Sequence, residues 1–319
     1  MLKCDEPVAL LVYGKFLGYS AIVELATSLT LEEKVELSHR VVEEALRVAR
    51  LLFGDPVPSV GFSGGKASLV TLDLVLHHVP RDELLVYFCN TLNEYPGTRE
   101  YIVRVAKEYF GVRRLVEVLP RVTPWAIWRA FGFPRESRDR YYTPVCCAVL
   151  KELPTKLVIE RYGVNLDFTG IQALEALHRL RSIADNGLVR RTRYIGREVT
   201  LRRAIVRVAP VGLWLDEDLW EYIRLRRMPV NPAYERYKLR RQGCLACTNA
   251  RNWREYVGSY SEAMLRFIEE KMREWGVQEE RVRLRKAAEA LGLNLGNLEA
   301  FYVVREHFQS VSKHEPVTL

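Results

Sequence analysis

The apolar positions along this chain switch between two periods. From Thr30, apolar residues recur at helical spacing through Leu31, Val35, Val42, Leu46 and Ala49. Thr30-Leu31-Glu32-Glu33 reads as a capping box, with the threonine hydroxyl and Glu33 each satisfying a backbone donor. Gly54 reads as the stop. A strand pattern follows over residues 58–62. Leu84-Leu85-Val86-Tyr87-Phe88-Cys89 is apolar at every position, as expected of a parallel strand covered on both faces. Ile102, Val105, Ala106, Tyr109 and Phe110 return to helical spacing and stop at Gly111. Further strands fit 115–119 and 166–170. This alternation predicts an α/β fold with a doubly wound parallel sheet. Such sheets bind ligands at the carboxyl ends of their strands.

Past residue 183 the chain becomes arginine-rich and strand-like, and Asn186-Gly187 reads as a hairpin turn. Residues 253–275 have the pattern of one long amphipathic helix, and further helical segments are expected toward Phe308. The division that follows is an N-terminal extension over 1–30, a nucleotide-binding domain over 31–250 and a helical C-terminal extension over 251–319. There is no internal repeat.

A net charge of +8 favours an anionic partner, a nucleotide or RNA. Arginine greatly outnumbers lysine, a thermophile-like trait. No signal peptide and no membrane-spanning stretch is read, so a cytoplasmic protein with reduced thiols is expected. Arg190, Arg191, Arg193, Arg197, Arg202, Arg203 and Arg207 have only Glu198 as a neighbouring acid. They form either a solvated, salt-bridged face or a clamp for sulfate, phosphate or RNA backbone.

The chain has six cysteines, and four fall into two pairs, Cys146-Cys147 and Cys244-Leu245-Ala246-Cys247. Adjacent cysteines do not comfortably form a disulfide with each other. They crowd one tetrahedral ion but suit separate corners of a 4Fe–4S cluster. The CxxC turn serves zinc, iron–sulfur clusters or redox disulfides alike. Cluster, structural zinc and unliganded thiols all remain open. Cys4 and Cys89 look unrelated to the pairs.

Phe62-Ser63-Gly64-Gly65-Lys66-Ala67-Ser68 follows a strand and opens a helix. Glycines there let backbone approach phosphate oxygens, and free amides at the helix start hold negative charge. Lys66 and Ser68 add a cation and a hydroxyl. Gly65 is the position expected to need open space beside the phosphate.

With these segments in hand, the chain resembles the phosphoadenosine phosphosulfate (PAPS) reductase family of the adenine-nucleotide alpha-hydrolase-like, PP-loop fold. The SGGK turn, the run Asn90-Thr91-Leu92-Asn93-Glu94-Tyr95-Pro96-Gly97-Thr98, the segment from Gly170 through Glu175 to Arg179, and the stretch Ala209–Trp214, Asp218–Ile223 and Pro229–Tyr234 follow the family's order over about residues 31–250. The cysteine pairs are similar to its cluster-bearing, adenylyl-sulfate reductase branch. The resemblance implies a 4Fe–4S cluster on Cys146, Cys147, Cys244 and Cys247. It also implies an adenine nucleotide (ATP, adenylyl sulfate or PAPS, with Mg²⁺ as a companion ion) on Ser63, Gly64, Gly65, Lys66, Ser68, Gly170, Glu175 and Arg179. A thiol or sulfur-carrier protein and a homodimer complete the implied partners.

The chain departs from the family at Ala67, where ATP pyrophosphatases carry Asp, and at Gln172 and Ala176, where Arg and Ser are usual. Family reductases also carry a catalytic cysteine in a C-terminal E-C-G-[IL]-H tail. No cysteine follows Cys247 here, so Cys4 or a partner would have to supply the thiolate that takes the sulfur. Three functions stay open. They are a PAPS reductase-like enzyme of sulfur metabolism, an ATP-dependent sulfurtransferase acting on RNA or a small molecule, and a non-catalytic protein that binds nucleotide and cluster. Trp214 and Trp220 are expected in the core, and His178 on a helix surface.

Overall fold

A computed structural model describes residues 18–136 and 142–308. Cys4 and the tail beyond Phe308 lie outside them. The capping box predicted at Thr30 is formed: the Glu33 amide donates to Thr30 Oγ1, and the Thr30 amide donates to Glu33 Oε2. It starts the helix Leu31–Phe53, which ends at Gly54 with φ 80°.

Among the described residues nine strands follow: β1 (Pro58–Gly61), β2 (Leu85–Cys89), β3 (Arg114–Pro120), β4 (Phe133–Pro134), β5 (Leu166–Phe168), β6 (Val189–Tyr194), β7 (Thr200–Val208), β8 (Val277–Gln278) and β9 (Tyr302–Phe308). Seven form one sheet in the order β6-β7-β5-β1-β2-β3-β9. Its five central strands are parallel, and β6 and β9 pair antiparallel at the two edges. Helices cover both faces, which gives the predicted doubly wound α/β fold. In β2, Val86 and Phe88 enter one core and Leu85 and Tyr87 the other, so the strand has no polar face.

The chain builds outward from β1 through β2 to β3, then returns to the other side of β1 to lay down β5 and β7. The switch therefore falls between the carboxyl ends of β1 and β5, where such sheets open a crevice.

Several expectations change in detail. Asn186-Gly187 ends the helix Leu177–Asn186 rather than turning a hairpin, with Gly187 at φ 73°. A helix stop and a tight hairpin both require positive φ, so local sequence does not separate them. The hairpin itself turns after Tyr194. The long helix is two, Trp253–Tyr260 and Glu262–Trp275. Ser261 breaks it by adopting extended backbone and accepting the Met264 amide on its hydroxyl. The helix predicted through Phe110 is α-helical over Thr98–Arg104 and widens to a π-helix over Val105–Tyr109. The C-terminal extension is helical over Leu284–Ala290 but closes with β9, because Tyr302-Val303-Val304 suits an edge strand.

The basic hairpin is better supplied with acids than the sequence suggests. Arg207 Nε lies 3.0 Å from buried Asp167, and Arg202 lies 3.6 Å from Glu160. Glu198 instead serves Arg281 and the Leu284 amide. Among the described residues, no helix is long and apolar enough to cross a membrane.

Candidate functional site: an anion cleft joined to a thiol group

The turn after β1 enters the helix Lys66–Leu76. The first amides of a helix have no intrahelical acceptor. The Lys66 amide donates to the Tyr234 hydroxyl at 3.0 Å, while Ala67 and Ser68 line an open cleft. The Ser68 hydroxyl donates to the Gly65 carbonyl at 2.9 Å and lies 3.3 Å from the Ser63 amide, which fixes the loop from within. Burial pushes the Tyr234 phenol up to about 12, so it stays protonated.

Two glycines, other than the one expected, set the close approaches. Gly64 has φ +78°, a region that disfavours side chains. A Cβ on Gly170 would sit 2.7 Å from the Ala67 carbonyl carbon and the Ser68 amide nitrogen. Bare backbone at residue 170 thus lets the end of β5 touch the start of the helix. At Gly65 a Cβ would meet Gln242 Cβ at 3.4 Å, an ordinary contact.

Ser63, Gly65, Lys66, Ser68, Gly170, Glu175 and Arg179 all line this cleft, and Gly64 sits in the turn behind it. The Lys66 ammonium donates to the Arg240 carbonyl at 2.8 Å and lies 3.3 Å from Asp216. It also sits 5.7 Å and 5.6 Å from the ring centres of Trp220 and Tyr234. Trp220 therefore borders the site, whereas Trp214 is core and its indole N–H donates to Ser38 Oγ. Glu175 and Arg179 form the i,i+4 pair foreseen, and Arg241 Nε reaches the same carboxylate at 2.7 Å. Burial lowers the pKa of Arg179. His178 is exposed, as expected.

Tyr234, Asp216, Arg241 and Gln242 had no assigned role. Tyr234 closes a family-like segment and Gln242 precedes the CxxC turn, so both lay within stretches already marked. Gln172, where the family carries Arg, is buried and donates to the Trp214 carbonyl. Gln242 donates from Nε2 to Thr98 Oγ1 at 3.0 Å, and its Oε1 is buried without a partner.

Residues 240–242 run directly into the CxxC turn. There the Leu245 amide donates to the Asn93 carbonyl at 2.6 Å, and Cys244 Sγ lies 3.6 Å from Thr91 Oγ1. Cys146 and Cys147 end the short helix Val145–Cys147, which opens at once into a π-helix over Ala148–Glu152. Such widened turns recur at functional sites. A strut foreign to the sequence reading supports both pairs: the Val145 amide donates to Gln278 Oε1, and the Thr248 hydroxyl donates to the Pro134 carbonyl.

The four thiols share one electrostatic neighbourhood although the pairs are 97 positions apart. Cys244, Cys147 and Cys247, with Glu94, hold the Lys151 ammonium firmly protonated. Burial pushes Cys244 up to about 12 and Cys247 upward, and a hydrogen bond donated to Cys147, followed by burial, raises Cys146. No disulfide joins Cys89, Cys146, Cys147, Cys244 or Cys247. All five keep part of their surface uncovered. Trp128 packs beside Cys146, and its buried indole N–H faces the Cys146 sulfur without reaching full hydrogen-bond geometry. Among the described residues, no three His, Cys, Asp or Glu side chains gather tightly enough to hold a single metal ion. Cys89 ends β2 and lies 3.5 Å from Thr155 Oγ1, with burial raising its thiol to about 12.

The phosphoadenosine phosphosulfate reductase domain matches residues 57–250, more than half of the chain. The chain belongs to this family. It is 30% identical over 190 residues to an uncharacterized protein of Methanocaldococcus jannaschii, covering 59% of this chain and 35% of that protein. It thus spans about a third of that relative's length. It is 27% identical over 186 residues to adenosine 5′-phosphosulfate reductase of Geobacillus kaustophilus, covering 58% and 70% of the two chains. The corresponding reductase of Staphylococcus haemolyticus is 23% identical over 248 residues, covering 76% and 87%. A crystal structure of PAPS reductase from Candida auris in a phosphate complex is 22% identical, with a TM-score of 0.42, covering 65% of this chain and 92% of that one.

Proposed function

We propose that this chain is a reductase-type enzyme of sulfur metabolism that binds an adenine sulfonucleotide in the cleft, beside a 4Fe–4S cluster held by Cys146, Cys147, Cys244 and Cys247. One observation carries the reading. Residues 240–242 form a wall of the anion cleft, through Lys66 and Glu175, and lead in two further residues to Cys244. The anion-binding groups and the thiols are thus one continuous piece of structure.

The residues fit the cluster. Four thiols from distant segments share one neighbourhood without closing on a single ion site, and two of them are adjacent and so suited to separate metal corners. Lys151 supplies compensating charge, and the Trp128 N–H faces the Cys146 sulfur, where it would donate to a thiolate. When bound, the cluster would take these thiols as thiolates and fasten the two segments to each other.

The cleft residues have separate tasks. The free amides of Ala67 and Ser68 and the Arg179 guanidinium hold the phosphosulfate oxygens. Tyr234 keeps the loop closed. An acceptor thiolate then attacks the sulfur: an S–S bond forms, the bond from sulfur to the bridging phosphate oxygen breaks, and AMP leaves with that electron pair. A second thiol releases sulfite, leaving a disulfide. The acceptor thiol comes from a separate thiol protein or from Cys4, because no cysteine follows Cys247 in this sequence and the Cys89 thiol holds its proton.

Two measurements test this. Anaerobically purified protein should contain about four irons and four sulfides per chain. Calorimetry should detect binding of adenylyl sulfate or its 3′-phosphorylated form more tightly than ATP. Zinc without acid-labile sulfide in iron-replete preparations, or a preference for ATP, would reject the reading.

A further inference from the structure

The cleft pairs most of its own charge and keeps one positive charge in excess. Three cations line it, Lys66, Arg179 and Arg241, against two carboxylates, Glu175 and Asp216. Each cation is engaged by one of the acids. Lys66 lies 3.3 Å from Asp216, and Arg179 and Arg241 both grip Glu175. The Glu175 arrangement is unusual, since one carboxylate bridges two guanidinium groups. Its Oε2 faces Arg179 and its Oε1 faces Arg241. This is the bonding that an oxyanion with several acceptor oxygens would receive from the same two forks.

The three residues come from different parts of the fold. Glu175 ends a short 3-10 turn after β5, Arg179 lies in the helix Leu177–Asn186, and Arg241 lies on the segment leading to Cys244. Glu175 and Arg179 are about one-fifth and one-quarter exposed, so their pairing is not a loose surface contact. Arg241 is more than half exposed. Sequence motifs had marked Glu175 and Arg179 but gave Arg241 no role.

We infer that Arg241 is a second arm of the anion clamp, and that Glu175 is an internal competitor that occupies the clamp until the sulfo or phosphoryl group of the ligand displaces it. This rests on the cleft being the anion site proposed above. Its consequence is opposite to that of a plain positioning role. A carboxylate that merely aims the arginines helps binding, so removing its charge weakens binding. A carboxylate that competes for them hinders binding, so removing its charge strengthens it.

The test compares wild type with Glu175→Gln, Arg241→Gln and the double variant, all as the full chain, by calorimetry. The probes are adenylyl sulfate, inorganic sulfate and uncharged adenosine. Glu175→Gln should bind adenylyl sulfate and sulfate at least about fivefold more tightly, with adenosine unchanged. Arg241→Gln should weaken both anions by a similar factor, and the double variant should lose the gain. Thermal unfolding of each variant checks that the fold is intact. If Glu175→Gln binds the anions equally or less tightly, the competitor role is wrong. If Arg241→Gln, at its exposed position, binds them as wild type does, the second arm is wrong. Should sulfate respond as expected while no sulfonucleotide binds any variant, the clamp stands and the function proposed above falls.

Discussion

The anion cleft and the thiol group lie at the two ends of one eight-residue segment, 240–247, yet they are built in opposite ways. In the cleft the protein pairs its own charged groups, although the Ala67 and Ser68 amides and Gln242 Oε1 stay open. The loop is tied by Ser68 and Tyr234, and every cation has a carboxylate. At the thiol group the parts are brought together but left unfinished. Burial raises the Cys146, Cys244 and Cys247 thiols, no metal ion site is closed among them, and part of their surface stays uncovered. A site whose charges are paired by its own chain can form before its ligand arrives, whereas thiols gathered without a closed ion site depend on something from outside for their final order.

The largest effect that would break this comparison is at Gly170. A side chain there must push apart backbone already in contact, with a cost of about 3 kcal/mol or more. Gly170→Val should therefore abolish sulfonucleotide binding and lower the melting temperature by roughly 5–10 °C. Gly65→Ala, whose new methyl meets only ordinary contact, should change melting by less than about 2 °C. Scanning calorimetry of the two variants checks the ranking, and equal effects would show that the cleft is not preformed by that contact.

The next sharpens the contrast through the metal. Iron-loaded wild type should melt well above the same protein after anaerobic chelation. Cys147→Ser should melt with the chelated form whether or not iron is supplied. Sulfonucleotide affinity of the chelated protein should stay within about fivefold of the loaded form, because the cleft's bonds are the protein's own. A complete loss of affinity on chelation would merge the two regions into a single cooperative site.

The smallest effect is on pH dependence. The helix that starts in the phosphate turn is followed by His77 and His78, which meet His39 on the helix Leu31–Phe53. Burial, then His78 and His77, lower the His39 pKa, with Glu43 and Asp73 opposing. Burial likewise lowers His78. The unfolded chain therefore takes up these protons first. The stability this confers is present above about pH 6.5 and is lost as pH falls through that value toward the lower folded pKa. His39→Gln should flatten the fall in melting temperature between about pH 7.5 and 5.5. An unchanged slope would place the acid sensitivity elsewhere, in the thiol half for instance.

Some parts of this molecule were legible from neighbours in the chain. The Thr30 capping box, the uniformly apolar β2 and the glycine turn each depend on residues within a few positions of one another. The parallel sheet followed from their alternation. Pairing of the four cysteines was also suggested, since adjacent thiols have few structural uses. Other parts were misread where one local signal serves two structures. Asn186-Gly187 supplies positive φ to a helix stop as well as to a turn, and Ser261 ends one helix while capping the next.

What the sequence determined by itself is the class of fold, the glycine turn that opens a helix beside the cleft, and the set of thiols. Tertiary structure decided which groups face that turn. It sent the Lys66 ammonium toward Arg240 and Asp216, and brought Arg241 onto Glu175 across 66 positions. It made Gly170, not Gly65, the glycine that permits the closest approach. The physical reason is range. Helix caps and strand periodicity are settled by bonds and packing within a few residues. Ion pairs and steric contacts across a cleft depend on where the sheet places strands far apart in the chain.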